Sequence, residues 1–330
     1  MGNGGAPAVT RARPVVVVGN GQIGASAALL CAMSGHDVTI LGRSQASQER
    51  AKALLPVFER QLCEIRPDLA GADWQGRITW SRDAATLPAL ASCSVVIEAI
   101  REDAGDKAAL LAEIEPRCPA DTILASATSG LPVAAIAAQV RDPGRVAVAH
   151  FANPPHLMPL VEVVPGPQTR PDTLTRLCAF LETLGKETVA LAADLPGHLF
   201  NRLQFAMLRE AMALVDRGIA TPAQIDRVVK RGLALRLAEE GPMEKMDLAG
   251  LELVRDVARY LLPDLDTARA PDLLDRMLAE GRRGADWGAG FLDWTPAEAD
   301  AARRRRNAEV VRQLTKSTST EPEMAGDPAG

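Results

Sequence analysis

Through the first half of the chain, short runs of apolar and β-branched residues alternate with longer stretches rich in Ala and Leu. Val15–Val18, Val38–Leu41, Arg77–Trp80, Val95–Glu98, Thr122–Leu124 and Val146–Ala149 read as strands, with intervening segments long enough for crossover helices. This alternation predicts βαβ units and a parallel, doubly wound, Rossmann-like sheet. Leu160–Val164 and Thr188–Leu191 add two strands. Between them Leu174, Leu177, Phe180, Leu181 and Leu184 recur at helical spacing and predict a helix over Pro171–Leu184. From Leu195 onward the strand signals stop, and Phe200–Val215, Pro222–Arg231, Pro242–Leu261, Ala270–Leu278 and Pro296–Leu314 read as helices. The pattern divides the chain into a flexible N-terminus (1–13), an α/β domain (14–194), an all-helical domain (195–315) and a tail (316–330). That tail is rich in Ser, Thr, Pro, Gly and Glu and carries too little apolar surface to order itself.

Composition narrows the function classes. With 47% hydrophobic residues over 330 positions, the chain buries one or two ordinary cores. Its 37 Lys and Arg against 42 Asp and Glu leave a net charge of -5, without the basic excess that nucleic-acid or anionic-membrane partners require. The Arg303–Arg306 run lies near Glu298, Asp300 and Glu309 and reads as a solvated or dimer-edge helix. No apolar run reaches the roughly 18 to 20 residues of a membrane span, and Met1–Arg13 lacks the apolar core of a signal peptide, so the expected location is the cytoplasm. Cys31, Cys63, Cys93, Cys118 and Cys178 are scattered, without C-x-x-C spacing, which predicts neither a disulfide framework nor a metal site.

Gly19-Asn20-Gly21-Gln22-Ile23-Gly24 is a G-x-G-x-x-G motif that follows the first strand, opens the stretch Ile23–Met33 and precedes a second strand. That context makes it a dinucleotide-binding turn, with the pyrophosphate at a helix N-terminus. The second strand runs into Leu41-Gly42-Arg43-Ser44, where an NAD-preferring site carries a carboxylate for the ribose 2′-hydroxyl. Gly42, Arg43 and Ser44 offer no acid and one cation, so the sequence predicts NADP(H) as the preferred cofactor, with NAD(H) the second candidate.

Four histidines occur. His36 reads as a solvated turn residue, and His156 and His198 lie in Pro- and Gly-rich loops that could touch a substrate or nothing. His150 ends a strand in His150-Phe151-Ala152-Asn153-Pro154-Pro155, at the carboxyl edge of the sheet where open α/β folds bind ligands. Glu162 interrupts the apolar run Leu160-Val161-Glu162-Val163-Val164, so its carboxylate should be buried and partnered.

Ala125–Gly130, the H-x-x-N-P segment at His150, the L-V-E-V run and Pro196-Gly197-His198-Leu199-Phe200-Asn201-Arg202-Leu203 together resemble the 3-hydroxyacyl-CoA dehydrogenase family. Pro154-Pro155 and Met158-Pro159-Leu160 are similar to its lambda-crystallin, L-gulonate 3-dehydrogenase and carnitine dehydrogenase branch. Val96–Glu102, Gly241–Asp247 and Gly288–Trp294 extend the resemblance over roughly residues 14 to 315. It implies His150 as general acid and base, Glu162 as its partner, and Ser129 and Asn201 as the groups holding the reacting oxygen. Ala99, Glu102, Lys107, Ser129 and Asn153 are implied along the cofactor, and a homodimer through the helical domain. Each residue also has a plainer reading: Ser129 as a helix N-cap, Asn201 as a first-turn polar residue, Glu162 as a structural ion pair. Arg43 in place of an acid, and Pro159 where acyl-CoA-using members carry lysine, point to an NADP(H)-dependent oxidoreductase of small non-CoA 3-oxo or 3-hydroxy acids. The alternatives are a secondary-metabolite ketoreductase, an NAD-linked 3-hydroxyacyl-CoA dehydrogenase, an imine or amine dehydrogenase, and a nucleotide-binding protein without turnover.

Overall fold

The alternating apolar runs form one eight-stranded sheet in the computed structural model, which describes residues 13–84, 86–268 and 270–318. The strands are β1 (Val15–Val18), β2 (Val38–Leu41), β3 (Ile78–Ser81), β4 (Val95–Glu98), β5 (Ile123–Ser126), β6 (Val146–Phe151), β7 (Leu160–Pro165) and β8 (Glu187–Ala190), in the order β3-β2-β1-β4-β5-β6-β7-β8. β1 to β6 pair in parallel, β6 and β7 pair antiparallel, and β8 runs parallel to β7. The reversal has a covalent cause: only residues 152–159 join β6 to β7. A parallel crossover needs a dozen residues or more.

Successive strand residues point to opposite faces, so the all-apolar strands require cover on both. On one face Val15, Val17, Ile40 and Ile97 pack with α1 (Gln22–Met33), α2 (Gln45–Ile65) and, through Leu177 and Leu181, α5 (Pro171–Thr183). On the other, Val16, Val18, Val96 and Val148 pack with α3 (Ala104–Ile114) and α4 (Val133–Ile136). At about 1.5 to 3 kcal/mol per buried aliphatic side chain, these layers hold the strand ends where the chemistry sits.

The remaining elements are helical: α6 (Phe200–Asp216), α7 (Pro222–Val228), α8 (Ala234–Leu237), α9 (Pro242–Ala249), α10 (Leu251–Leu261), α11 (Asp272–Ala279) and α12 (Pro296–Thr318). Three expectations are corrected here. The helix expected over Pro222–Arg231 ends at Val228 and passes through a wider π turn at Val229–Leu233 before α8. The helix expected over Pro242–Leu261 is two helices, broken at Gly250, whose φ of 87° is left-handed. α12 continues past Lys316, where the tail was expected to begin. The expectations for 1–12 and 319–330 lie outside the described residues.

The chain divides into two compact units, one made of the residues up to Asn201 with those from Asn307 on, the other Arg202–Arg306. In the second unit Asp266 N–H donates to Glu210 (2.7 Å) and Arg282 Nε to the Gly290 carbonyl (2.7 Å). Its apolar side chains remain open, with Leu248 at 78%, Tyr260 at 69% and Trp287 at 65% exposure. Among the described residues no helix is long and apolar enough to cross a membrane.

Candidate active site

The turn between β1 and α1 leaves a cradle of the right kind. Gly19 has φ 110°, and a Cβ there would lie 2.3 Å from the Ala99 carbonyl oxygen, so the turn closes onto the residue that follows β4. A Cβ on Gly24 would lie 2.0 Å from the Gly19 carbonyl oxygen, whereas one on Gly21 meets nothing within 4 Å. Two glycines therefore serve the backbone and the third keeps space open. α1 has no acidic residue in its first turn, which leaves its amides and dipole available to an anion beside Asn20, Gln22 and Ile23. These residues fit a dinucleotide pyrophosphate.

At the end of β2, Ser44 caps α2, accepting the Ser47 N–H (3.2 Å), while Asn20 Nδ2 donates to Ser47 Oγ (3.0 Å). A Cβ on Gly42 would lie 2.2 Å from Asn20 Nδ2, so the Asn20 amide fills the space beside this residue. Arg43 is exposed. The Asp106 carboxyl is held below its ordinary range chiefly by a hydrogen bond from Arg101, with Arg43 adding positive potential.

The β6–β7 reversal sets His150 directly opposite Glu162. Opposed residues of an antiparallel pair share a face, and His150 Nδ1 lies 2.7 Å from Glu162 Oε2. Both are buried, at 6% and 2% exposure. The second carboxylate oxygen, Oε1, accepts the Leu199 and Phe200 N–H groups (2.9 and 2.8 Å) at the start of α6. Two α6 amides thus fix the orientation of the carboxyl group that faces His150. Since a carboxylate only accepts, His150 Nδ1 carries the proton and Nε2 is the nitrogen that Glu162 does not engage.

A second polar network runs from β4 to β5. Lys107, 1% exposed, donates to Glu98 Oε1 (2.8 Å) and lies 3.5 Å from Glu102. Glu98 also accepts the Ser126 hydroxyl and the Ile100 N–H. Glu102 Oε1 accepts the Thr128 hydroxyl and the Ser129 N–H (2.9 Å). Asn201 Nδ2 donates to the Ser129 carbonyl (2.7 Å), which brings these two distant sequence candidates together. The helix-cap reading of Ser129 is corrected: Thr128 Oγ1 accepts the Gly130 and Leu131 N–H groups, and Asp194 accepts that of Val133. Asn153, three residues beyond His150, is exposed at the start of the β6–β7 loop.

The other histidines sort differently from their sequence contexts. His36 is half-buried, edge-on to Phe180 at 5.4 Å. His156 is 1% exposed, bonded to Ser26 Oγ (3.0 Å) and Gln61 Oε1 (2.8 Å) and stacked on Phe58. Burial pushes it down to about 4. His198 is fully buried with φ 52°, its ring centroid 5.3 Å from that of His150. Burial and then the neighbouring His150 hold it below the usual histidine range; the Thr128 carbonyl favours its charged form without completing a well-aligned hydrogen bond. Sequence reasoning missed Glu98, although the signal that found Glu162, a carboxylate inside an apolar run, is present at Val95–Ile100.

Residues 14–195 match the family model for the NAD binding domain of 3-hydroxyacyl-CoA dehydrogenase, and residues 197–294 match that for its C-terminal domain. Over 306 residues the chain is 32% identical to 5-formyl-3-hydroxy-2-methylpyridine 4-carboxylate 5-dehydrogenase of Mesorhizobium japonicum, spanning 92% of this chain and 98% of that one. It is 35% identical over 288 residues to L-carnitine dehydrogenase of Streptomyces griseus, spanning 83% of each. A crystal structure of the pyridinecarboxylate 5-dehydrogenase, described as an NAD+ dependent dismutase, superposes with a TM-score of 0.86 at 31% identity, covering 92% of this chain and 99% of the other.

Proposed function

The chain belongs to the 3-hydroxyacyl-CoA dehydrogenase family and is a nicotinamide-dependent dehydrogenase, and from that premise we propose that it interconverts the 3-oxo and 3-hydroxy groups of a small acid that is not a CoA thioester, using NADP(H). The observation that carries the reading is the buried His150–Glu162 pair, closed at 2.7 Å and backed by two α6 amides. The cofactor, when bound, supplies or accepts the hydride. In alcohol oxidation His150 Nε2 takes the hydroxyl proton as the carbon loses its hydride, and in reduction it returns a proton to the oxygen. Glu162 stabilises the imidazolium that forms and fixes the ring. Ser129 and Asn201 hold the substrate oxygen as it gains negative charge. Glu102 and Lys107 would hold the nicotinamide ribose, with Ala99 and Asn153 lining its path.

Arg43 and Ser44, at the tip of β2, would hold the 2′-phosphate. The substrate class is supported by Pro159 and by the two relatives, whose names give L-carnitine and a pyridine carboxylate, neither a CoA thioester. The helical residues 195–315 pair two copies, which accounts for the open apolar side chains of Arg202–Arg306.

The test is a kinetic panel of acetoacetate, 3-dehydrocarnitine and acetoacetyl-CoA with NADPH and NADH. A free acid with NADPH should give the highest kcat/KM, and His150→Ala should lower that kcat by about 10²- to 10⁴-fold while leaving cofactor affinity unchanged. Arg43→Ala should lower kcat/KM with NADPH by about 10- to 100-fold, for a charged contact of about 1.5 to 3 kcal/mol, and leave NADH unaffected. Adding Gly42→Asp to Arg43→Ala should move the preference toward NADH, with the Asn20 amide shifting to make room for the new Cβ. Equal kcat/KM for both cofactors defeats the Arg43 assignment, and full turnover by His150→Ala defeats the acid–base assignment.

A further inference from the structure

The loop of residues 152–159 leaves β6 immediately after His150-Phe151 and returns as β7 with Glu162. Its conformation therefore sets where the acid–base pair sits. The loop is poor in ways of holding itself. Pro154, Pro155 and Pro159 have no N–H, and the bonds it closes internally are those of the Leu157 and Met158 N–H groups to the Pro154 carbonyl. Two of its carbonyls depend on a side chain from elsewhere: Lys186, 6% exposed, donates from Nζ to the Pro155 oxygen (2.7 Å) and the Met158 oxygen (2.9 Å). Beside it the Glu187 N–H donates to the Pro159 carbonyl (3.0 Å).

A second hold on the loop comes from His156, which lines the same cavity as Lys186. With Gln61 Oε1 accepting, Nε2 carries the proton, and Nδ1 is free to accept from Ser26 Oγ. The neutral ring stacks on Phe58 at 4.3 Å. Ser26 belongs to α1, the helix opened by the glycine turn, and Gln61 and Phe58 belong to α2. His156 therefore ties the loop to the helix whose first turn faces the cofactor, and Lys186 ties it to β8. A buried lysine amine with no carboxylate within ion-pair distance among the described residues is an expensive way to hold two carbonyls. Its retention makes sense where loop position, rather than stability alone, is what matters.

We infer that Lys186 and His156 are a two-point clamp, positioning residues that fix the β6–β7 loop and with it the place of His150 Nε2 at the sheet edge. Neither touches the reacting atoms. The inference rests on the assignment of His150 as acid and base. Small misplacements of a reacting group lower rates by about 10²-fold without changing the groups themselves.

The experiment measures single-turnover reduction of the most active free acid in the panel by NADPH and by its 4-deuterated form, well below the melting temperature of each variant. Lys186→Met and Ser26→Ala should each lower the hydride-transfer rate about 10- to 100-fold and raise the deuterium isotope effect, with the NADPH Kd unchanged. Lys186→Arg should recover most of the rate, because a guanidinium also donates to two carbonyls. In Lys186→Ala, ethylammonium should restore part of it, since the side chain lines a cavity of about 280 Å³ together with Leu62, Ile65, Leu157 and Leu184. If Lys186→Met does not fold, Ser26→Ala and the ethylammonium rescue of Lys186→Ala carry the test. Variants that melt earlier yet transfer hydride at the wild-type rate with an unchanged isotope effect overturn the clamp and leave a merely structural role. His150→Ala separates the two readings: full turnover there overturns the acid–base assignment, whereas an inactive His150→Ala beside an unaffected Lys186→Met overturns the clamp alone.

Discussion

Glu162 divides its two oxygens between different tasks, Oε2 to His150 and Oε1 to the first amides of α6. Glu162→Gln separates charge from shape. A glutamine can still accept both amides through Oε1, but its NH2 then faces His150 Nδ1 and forces the ring into the tautomer whose Nε2 already carries hydrogen. We expect kcat to fall about 10³- to 10⁴-fold, as is typical when a catalytic histidine is held in the wrong tautomer. A Glu162→Gln enzyme within tenfold of wild type would show that the ion pair is structural. Lys186 carries a second test, in stability. Burial, then the Arg66 charge, push its pKa from an ordinary 10.5 down to about 7. Between those values the unfolded chain binds the extra proton, so this group makes stability rise with pH. Urea unfolding at pH 7.5 and 9.5 should show that rise in wild type and less of it in Lys186→Met. His150 and Glu162 could be read from sequence because each stands out against its immediate neighbours. Lys186 could not: Leu184-Gly185-Lys186-Glu187 reads as a solvated turn, and the carbonyls that bury it lie 31 and 28 residues upstream. The partners of His156 are 130 and 95 residues away, beyond any local pattern.

At the scale of elements, the β1–α1 turn predicts that two glycines of one motif fail in different ways. Gly24→Ala places a Cβ against the Gly19 carbonyl and should lower the melting temperature, the signature of overpacking at about 1 to 3 kcal/mol. Gly21→Ala has an open position and an extended φ of -71°. Its melting temperature should match wild type while the NADPH Kd rises at least tenfold, because the added methyl fills the place of the pyrophosphate. Calorimetry and cofactor titration of both variants decide this, and a Gly21→Ala enzyme with normal affinity would mean that the dinucleotide lies elsewhere. The motif and its flanking strands were legible because strand, turn and helix follow one another without a gap. The antiparallel turn into β7 was not, since an apolar run gives no direction; the short 152–159 connection held the clue. Likewise the helical spacing across Pro242–Leu261 continues through Gly250, and the left-handed break there depends on packing that spacing does not encode.

For the whole molecule, the open apolar side chains of residues 202–306 predict self-association. Leu203 and Phe205 on α6 are 58% and 59% exposed, and Leu251 and Leu253 on α10 are 63% and 61% exposed. Sedimentation equilibrium at micromolar concentration should give twice the chain mass, and Phe205→Glu should shift it toward the single chain; a monomeric wild type rejects the dimer. The two-stranded reversal at β6–β7 has a different kind of consequence, in how such proteins can be recombined. The base and its carboxylate lie only 12 positions apart, while the residues proposed to choose the cofactor, Arg43 and Ser44, lie far upstream in another exon-sized block of sequence. A crossover between those two blocks moves the proton-transfer pair intact and leaves cofactor choice behind. Chimeras joined within α3 to an NAD-using relative should therefore inherit their preference from the upstream parent and their pH profile from the downstream one.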